Sequence, residues 1–126
     1  HGEDIFDDGR HLFLHASPVP SYYQLHVPLL LWTSDSYREE YPGIEKAASM
    51  NRQKNISSSI SFFQTMMELA GIETPYRNDS LSVTSPLYTE KSRVYLNDHN
   101  EPRPLDDIGM RKEDFEMLKK RGIDAQ

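Results

Sequence analysis

Apolar positions along this chain fall into a few short blocks separated by polar stretches, and the spacing inside each block predicts its element. Residues 11–15 alternate, with His11, Phe13 and His15 on one side and Leu12 and Leu14 on the other, which predicts a short extended segment. Val27 to Trp32 is a continuous apolar run, as expected of a strand buried on both faces of a parallel sheet. Pro28 fits only near its start, because proline has no N–H for the ladder. Ile56, Ile60, Phe63, Met67 and Ala70 recur at helical spacing, and Phe62, Met66 and Leu69 widen the same face. Ser57 to Ser59 offer amino-terminal caps for that helix, and Gly71 sits where a left-handed carboxy-terminal cap belongs.

The remaining segments are more polar. Residues 1–10 read as a loop carrying Gly2, Gly9 and the acidic group Glu3, Asp4, Asp7 and Asp8. Ala16 to Tyr23, with Pro18 and Pro20, reads as a second loop. Residues 33–55 read as a connection with a turn at Tyr41-Pro42-Gly43 and a short helix near Ile44 to Met50. Beyond Ile72 the chain is polar as far as Pro86. Arg93 to Leu96 predicts a strand and Asn97 to Pro104 a loop. A last amphipathic helix is expected over Lys112 to Arg121, with Phe115 and Leu118 inward and Gly122 as its stop.

At 126 residues, with 37% hydrophobic side chains and a mean hydropathy of -0.71, the chain has room for a modest core. Its net charge of -6, and the lack of any basic cluster before Lys119-Lys120-Arg121, argue against nucleic acid as a partner. There is no cysteine, so disulfides and thiolate metal sites are excluded. No apolar run approaches the length of a membrane span, and no signal peptide is present. The chain opens on histidine rather than methionine, which leads us to expect a piece of something larger or a processed product.

Candidate chemistry concentrates in the histidines. His1, placed just beyond a strand and followed by Gly2, would sit where open α/β sheets place ligands, and Gly2 would let the backbone turn sharply there. Alternatively it is an ordinary loop residue, or an amino-terminal copper brace in which the amine and imidazole chelate the metal. His11 and His15, four apart, would share one face of a helix as metal ligands, but their alternation favours extended structure and an edge role for His11. His26 leads directly into the apolar run and is either a site residue or a satisfied strand-start histidine. The acidic group could collect a divalent cation but reads better as a solvated loop. The Phe62-Phe63 and Met66-Met67 pairs read as core. Asn55-Ile56-Ser57 and Asn78-Asp79-Ser80 match the glycosylation pattern, which is short enough to recur by chance.

In combination, His1-Gly2-Glu3, Leu12-Phe13-Leu14-His15 and Gln24-Leu25-His26-Val27-Pro28-Leu29-Leu30-Leu31-Trp32 resemble the phosphoethanolamine transferases, in the sulfatase-like branch of the alkaline phosphatase superfamily. The resemblance continues through Phe62 to Thr74, which is similar to the family's last core helix, and covers about the first 80 residues. It implies an α/β fold, the carboxy-terminal part of an alkaline-phosphatase-like α/β/α sandwich. Residues 1–84 would be catalytic-domain segment and residues 85–126 a peripheral extension packing Leu96, Phe115 and Leu118 onto the core.

By the same resemblance His1 is a ligand of a catalytic zinc (or manganese) ion, the preceding aspartate of the pair being absent. His15 is catalytic and holds the transferring phosphoryl group, and His26 supports the substrate site. The intact parent would carry phosphoethanolamine from a phospholipid donor to lipid A or another envelope lipid through a phosphothreonine, in a periplasmic domain of an inner-membrane protein. Lacking the nucleophile, these residues alone should not turn over. The true sulfatases are the nearest alternative. They place a lysine after His-Gly and an Arg-Val-Pro where this chain has His26-Val27-Pro28, whereas the first lysine here is Lys46. Lipoteichoic-acid-synthase-like enzymes share the scaffold. A further alternative is a non-catalytic module that associates with itself through the severed edges of the Val27 to Trp32 strand.

Overall fold

A computed structural model describes residues 2–6, 9–15, 19–97 and 99–123. Two compact units emerge, one of His1–Leu30 with Ser92–Gln126 and one of Leu31–Lys91.

The first unit closes the chain's opening on its tail. Strands β1 (Asp4–Ile5) and β2 (Phe13–Leu14) pair antiparallel, with Asp4 opposite Leu14 and Ile5 opposite Phe13. Phe6 and Phe13 stack at 5.1 Å between ring centroids. A single helical turn, α1 (Tyr22–Leu25), follows where a proline-marked loop is expected. Strands β3 (Val94–Leu96) and β4 (Pro102–Pro104) form a second antiparallel pair in which Tyr95 faces Arg103. The two prolines flank that central pair, at positions whose missing N–H groups the ladder does not use. Helix α5 (Lys112–Lys120) ends at Gly122, whose φ of +73° suits glycine. The core of this unit joins Tyr22 to Leu105, Ile108, Met110 and Leu118, with Phe115 packed against it; Leu96 is exposed. Apolar positions of the tail therefore cover the helical turn that precedes His26.

The second unit holds α2 (Asp35–Glu40), α3 (Pro42–Asn51) and α4 (Ser58–Leu69). Helix α4 lies where the periodicity places it, and α3 contains the short helix expected near Ile44 to Met50; α2 forms in a stretch expected to be a connection. Helix α4 ends as expected at Gly71 (φ +63°), with the Ile72 N–H donating to the Met67 carbonyl and the Gly71 N–H to that of Glu68. The buried face of α4 differs from the expectation. Ser61 and Thr65 are buried, whereas Phe62, Phe63 and Met66 are exposed. The reason is polar. The Ser82–Ser85 loop brings hydroxyls and backbone groups that need partners, and this face of α4 supplies them. Thr65 Oγ1 accepts from the Val83 N–H at 3.0 Å and donates to the Ser61 carbonyl at 2.8 Å. The Glu68 carboxylate accepts from the Ser82 and Thr84 hydroxyls, the latter at 2.6 Å. Asn51 of α3 donates to the carbonyls of Val83 and Ser85 at 2.9 and 2.8 Å.

The architecture is thus a mixture of helices and short antiparallel strands, compatible with the α/β class. The parallel strand expected over Val27 to Trp32 is not formed. Those residues lie outside every described helix and strand, Leu30 is 90% and Trp32 83% exposed, and no described strand pairs with them. A parallel strand needs ladder partners and cover on both faces, and neither is present among the described residues. Among these residues no helix is long and apolar enough to cross a membrane.

Candidate functional site

The β1–β2 register decides where His15 lies. With Asp4 opposite Leu14, the next pair outward is Glu3 and His15, and His15 Nδ1 stands 3.2 Å from Glu3 Oε1. Both side chains are substantially exposed, so the pair orients the ring more than it stabilises the fold, at about 0–1 kcal/mol. His11 is exposed in the connection between β1 and β2, with φ +55°, so no helix places it and His15 on one face.

His26 is set by α1. Ser21 caps that turn, its Oγ accepting from the Gln24 N–H at 3.3 Å. The turn closes with the His26 N–H donating to the Tyr22 carbonyl at 2.9 Å. Tyr22 and His26, four residues apart, thereby meet with tilted rings 5.2 Å between centroids, and Tyr22 Oη shares a 2.6 Å hydrogen bond with His26 Nδ1. The Tyr22 ring is buried while His26 is exposed, so a fixed phenol holds a solvent-facing imidazole.

Two carboxylates anchor this turn, and the sequence singles out neither for that role. Asp4, read above as part of a solvated acidic loop, is 1% exposed and accepts from Ser21 Oγ at 2.6 Å and from Gln24 Nε2. Asp114 of α5, also buried, accepts the Tyr22 N–H at 2.9 Å and a two-pronged contact from Arg10 at 2.9 and 3.3 Å. Gly2 lies against the backbone of α1: a Cβ there would meet the Tyr23 carbonyl oxygen at 1.9 Å. Close approach to that carbonyl, not a positive φ, is what demands glycine. One signal was available in advance. Ser21 with Gln24 three residues on is the capping pattern of a helix start, although Gln24 reaches to Asp4 here. Asp114 reads in sequence only as an acidic residue in a helix's first turn.

His1 lies outside the described residues, and with it the metal ligand implied by resemblance and the copper brace. Asp7 and Asp8 lie outside them too. Among the described residues, no group of three or more His, Asp or Glu side chains is gathered closely enough to hold a metal ion.

The chain is 30% identical over 89 residues to the phosphoethanolamine transferase EptA of Salmonella typhimurium, covering 68% of this chain and 16% of that protein. It is 32% identical over 78 residues to EptA of Escherichia coli K12, covering 60% and 14%. The match to the phosphoethanolamine transferase CptA of Salmonella typhimurium is 27% over 107 residues, 84% of this chain and 18% of that one. The chain is a relative of the phosphoethanolamine transferases. It spans about one sixth of the length of these relatives. No family model and no solved structure matches it.

Proposed function

We propose that these residues belong to the carboxy-terminal part of a sulfatase-like catalytic domain in a phosphoethanolamine transferase. The parent moves phosphoethanolamine from a phospholipid to lipid A or another cell-envelope acceptor through a phosphothreonine, on the periplasmic side of the inner membrane. The observation that carries this proposal is the similarity to EptA and CptA, whose names state phosphoethanolamine transfer. The threonine nucleophile is assigned to sequence outside this chain, so the chain alone is expected to be inactive.

Within the chain, His15 is the group that meets the transferring phosphoryl. An imidazole on a short β ribbon, oriented by Glu3 through Nδ1, can offer its other nitrogen to a phosphoryl oxygen as negative charge develops. His26, oriented through Nδ1 by Tyr22, supports the substrate from the adjoining turn. Zinc or manganese is assigned to His1 together with ligands outside this chain. The described residues do not form such a centre by themselves.

The test uses the full-length transferase. His15→Ala is expected to abolish phosphoethanolamine transfer while leaving the bound metal at the wild-type level, measured by elemental analysis. Full transfer activity in that variant would remove His15 from the mechanism.

The exposed run Leu29 to Trp32 favours a second behaviour, association of the isolated chain with itself, because unpaired apolar backbone invites strand addition. A monodisperse monomer at high concentration, seen by light scattering, would contradict it.

A further inference from the structure

We propose that Asp114, on the carboxy-terminal helix α5, is a positioning residue for His26, so that the tail of the chain sets the geometry of the transfer site. The proposal rests on the role given above to His26. Helix α1 is one turn long, and a single turn does not hold itself together in water. Its orientation therefore comes from outside contacts. Ser21 Oγ takes the Gln24 N–H, while the Tyr22 N–H at the start of the turn goes to Asp114 Oδ1 at 2.9 Å. That contact spans 92 residues of sequence.

Asp114 is itself fixed. Arg10 holds both of its oxygens, and the Arg10 and Asp114 side chains are each 5% exposed. A carboxylate so buried persists as an anion only with such a partner. The Tyr22 ring is immobilised in the core against Leu105, Ile108, Met110 and Leu118, leaving its hydroxyl to reach His26 at 2.6 Å. The path runs from Arg10 and Asp114 to the Tyr22 backbone, then through the phenol to the imidazole.

Asp114→Asn and Tyr22→Phe, made in the full-length transferase, test the path. Asn keeps an acceptor for the Tyr22 N–H but loses the charge that grips Arg10. Phe keeps the ring in the core and deletes the contact to His26, so the core packing of the first unit is retained. Each single variant is expected to lower kcat roughly 10- to 100-fold with KM little changed. The double variant is expected to be no slower than the slower single one, because both changes break the same path. Losses that multiply in the double variant, or a Tyr22→Phe enzyme with wild-type kcat, would overturn the role of Asp114. A wild-type protein that moves no phosphoethanolamine would overturn the proposed function itself, and the positioning role with it.

Discussion

Gly2 and Tyr23 approach so closely that a single methyl group at residue 2 would lie 1.9 Å from the Tyr23 carbonyl oxygen. The obstacle is backbone on both sides, which has no rotamer to move away. Gly2→Ala is therefore expected to push the first residues off α1, costing about 1–3 kcal/mol in stability. On the role proposed for His1, which precedes Gly2 in the sequence, it should also lower transfer roughly 100-fold in the full-length enzyme. Thermal unfolding and steady-state kinetics of that variant check both.

The Arg10–Asp114 pair links the first ten residues to the last helix through a buried ion pair. Removing one member of such a pair costs far more than the pair is worth against apolar substitutes. Asp114→Ala takes the two-pronged carboxylate from Arg10 and the acceptor from the Tyr22 N–H, and should destabilise the first unit by about 3–5 kcal/mol. Denaturant unfolding of the variant measures the loss.

Asn51 illustrates how the second unit depends on polar satisfaction. Its side-chain amide serves two carbonyls, Val83 and Ser85, and the residue is almost fully buried. Asn51→Leu preserves bulk but leaves both without that donor, at roughly 1–3 kcal/mol each. Hydrogen exchange should report early opening of the Ser82–Ser85 loop in this variant.

Alkaline pH should act on the same unit through Tyr37. Its hydroxyl donates to the Leu69 carbonyl at 2.7 Å. Burial first, then the nearby Glu68 and Glu40 carboxylates, raise its pKa above the ordinary tyrosine value. A raised pKa means the unfolded chain loses this proton first. The contribution is whole below the ordinary tyrosine range and is lost as pH rises through the folded value. Tyr37→Phe should cost about 1 kcal/mol at neutral pH and flatten the decline above the tyrosine range. Paired urea titrations at neutral and high pH check the sign.

Helical periodicity was the most legible signal. The α4 and α5 helices lie where apolar spacing puts them, and Gly71 and Gly122 end them with positive φ; α3 lies over the short helix expected near Ile44 to Met50, whereas α2 forms inside what reads as a polar connection. Orientation was less legible, because α4 is apolar on one side and hydroxyl-bearing on the other. The partner that selects the Ser61–Thr65 side is a polar loop with no periodicity of its own. The strand expected over Val27 to Trp32 failed for a related reason. Apolar composition marks what a segment is able to bury, whereas strand formation also needs a neighbour. At the candidate site, the histidines could be named from sequence, but their supports could not. Asp4 looks like its acidic neighbours on paper, and Asp114 stands 92 residues from the Tyr22 N–H that it accepts.

The most direct measurement is to give the full-length protein a fluorescent phosphatidylethanolamine donor and lipid A, and to follow both lipids by mass spectrometry. Lipid A, or another envelope lipid supplied in its place, is expected to gain phosphoethanolamine while the donor is converted to diacylglycerol. An enzyme that leaves all these acceptors unmodified and instead hydrolyses sulfate esters would contradict the proposed function.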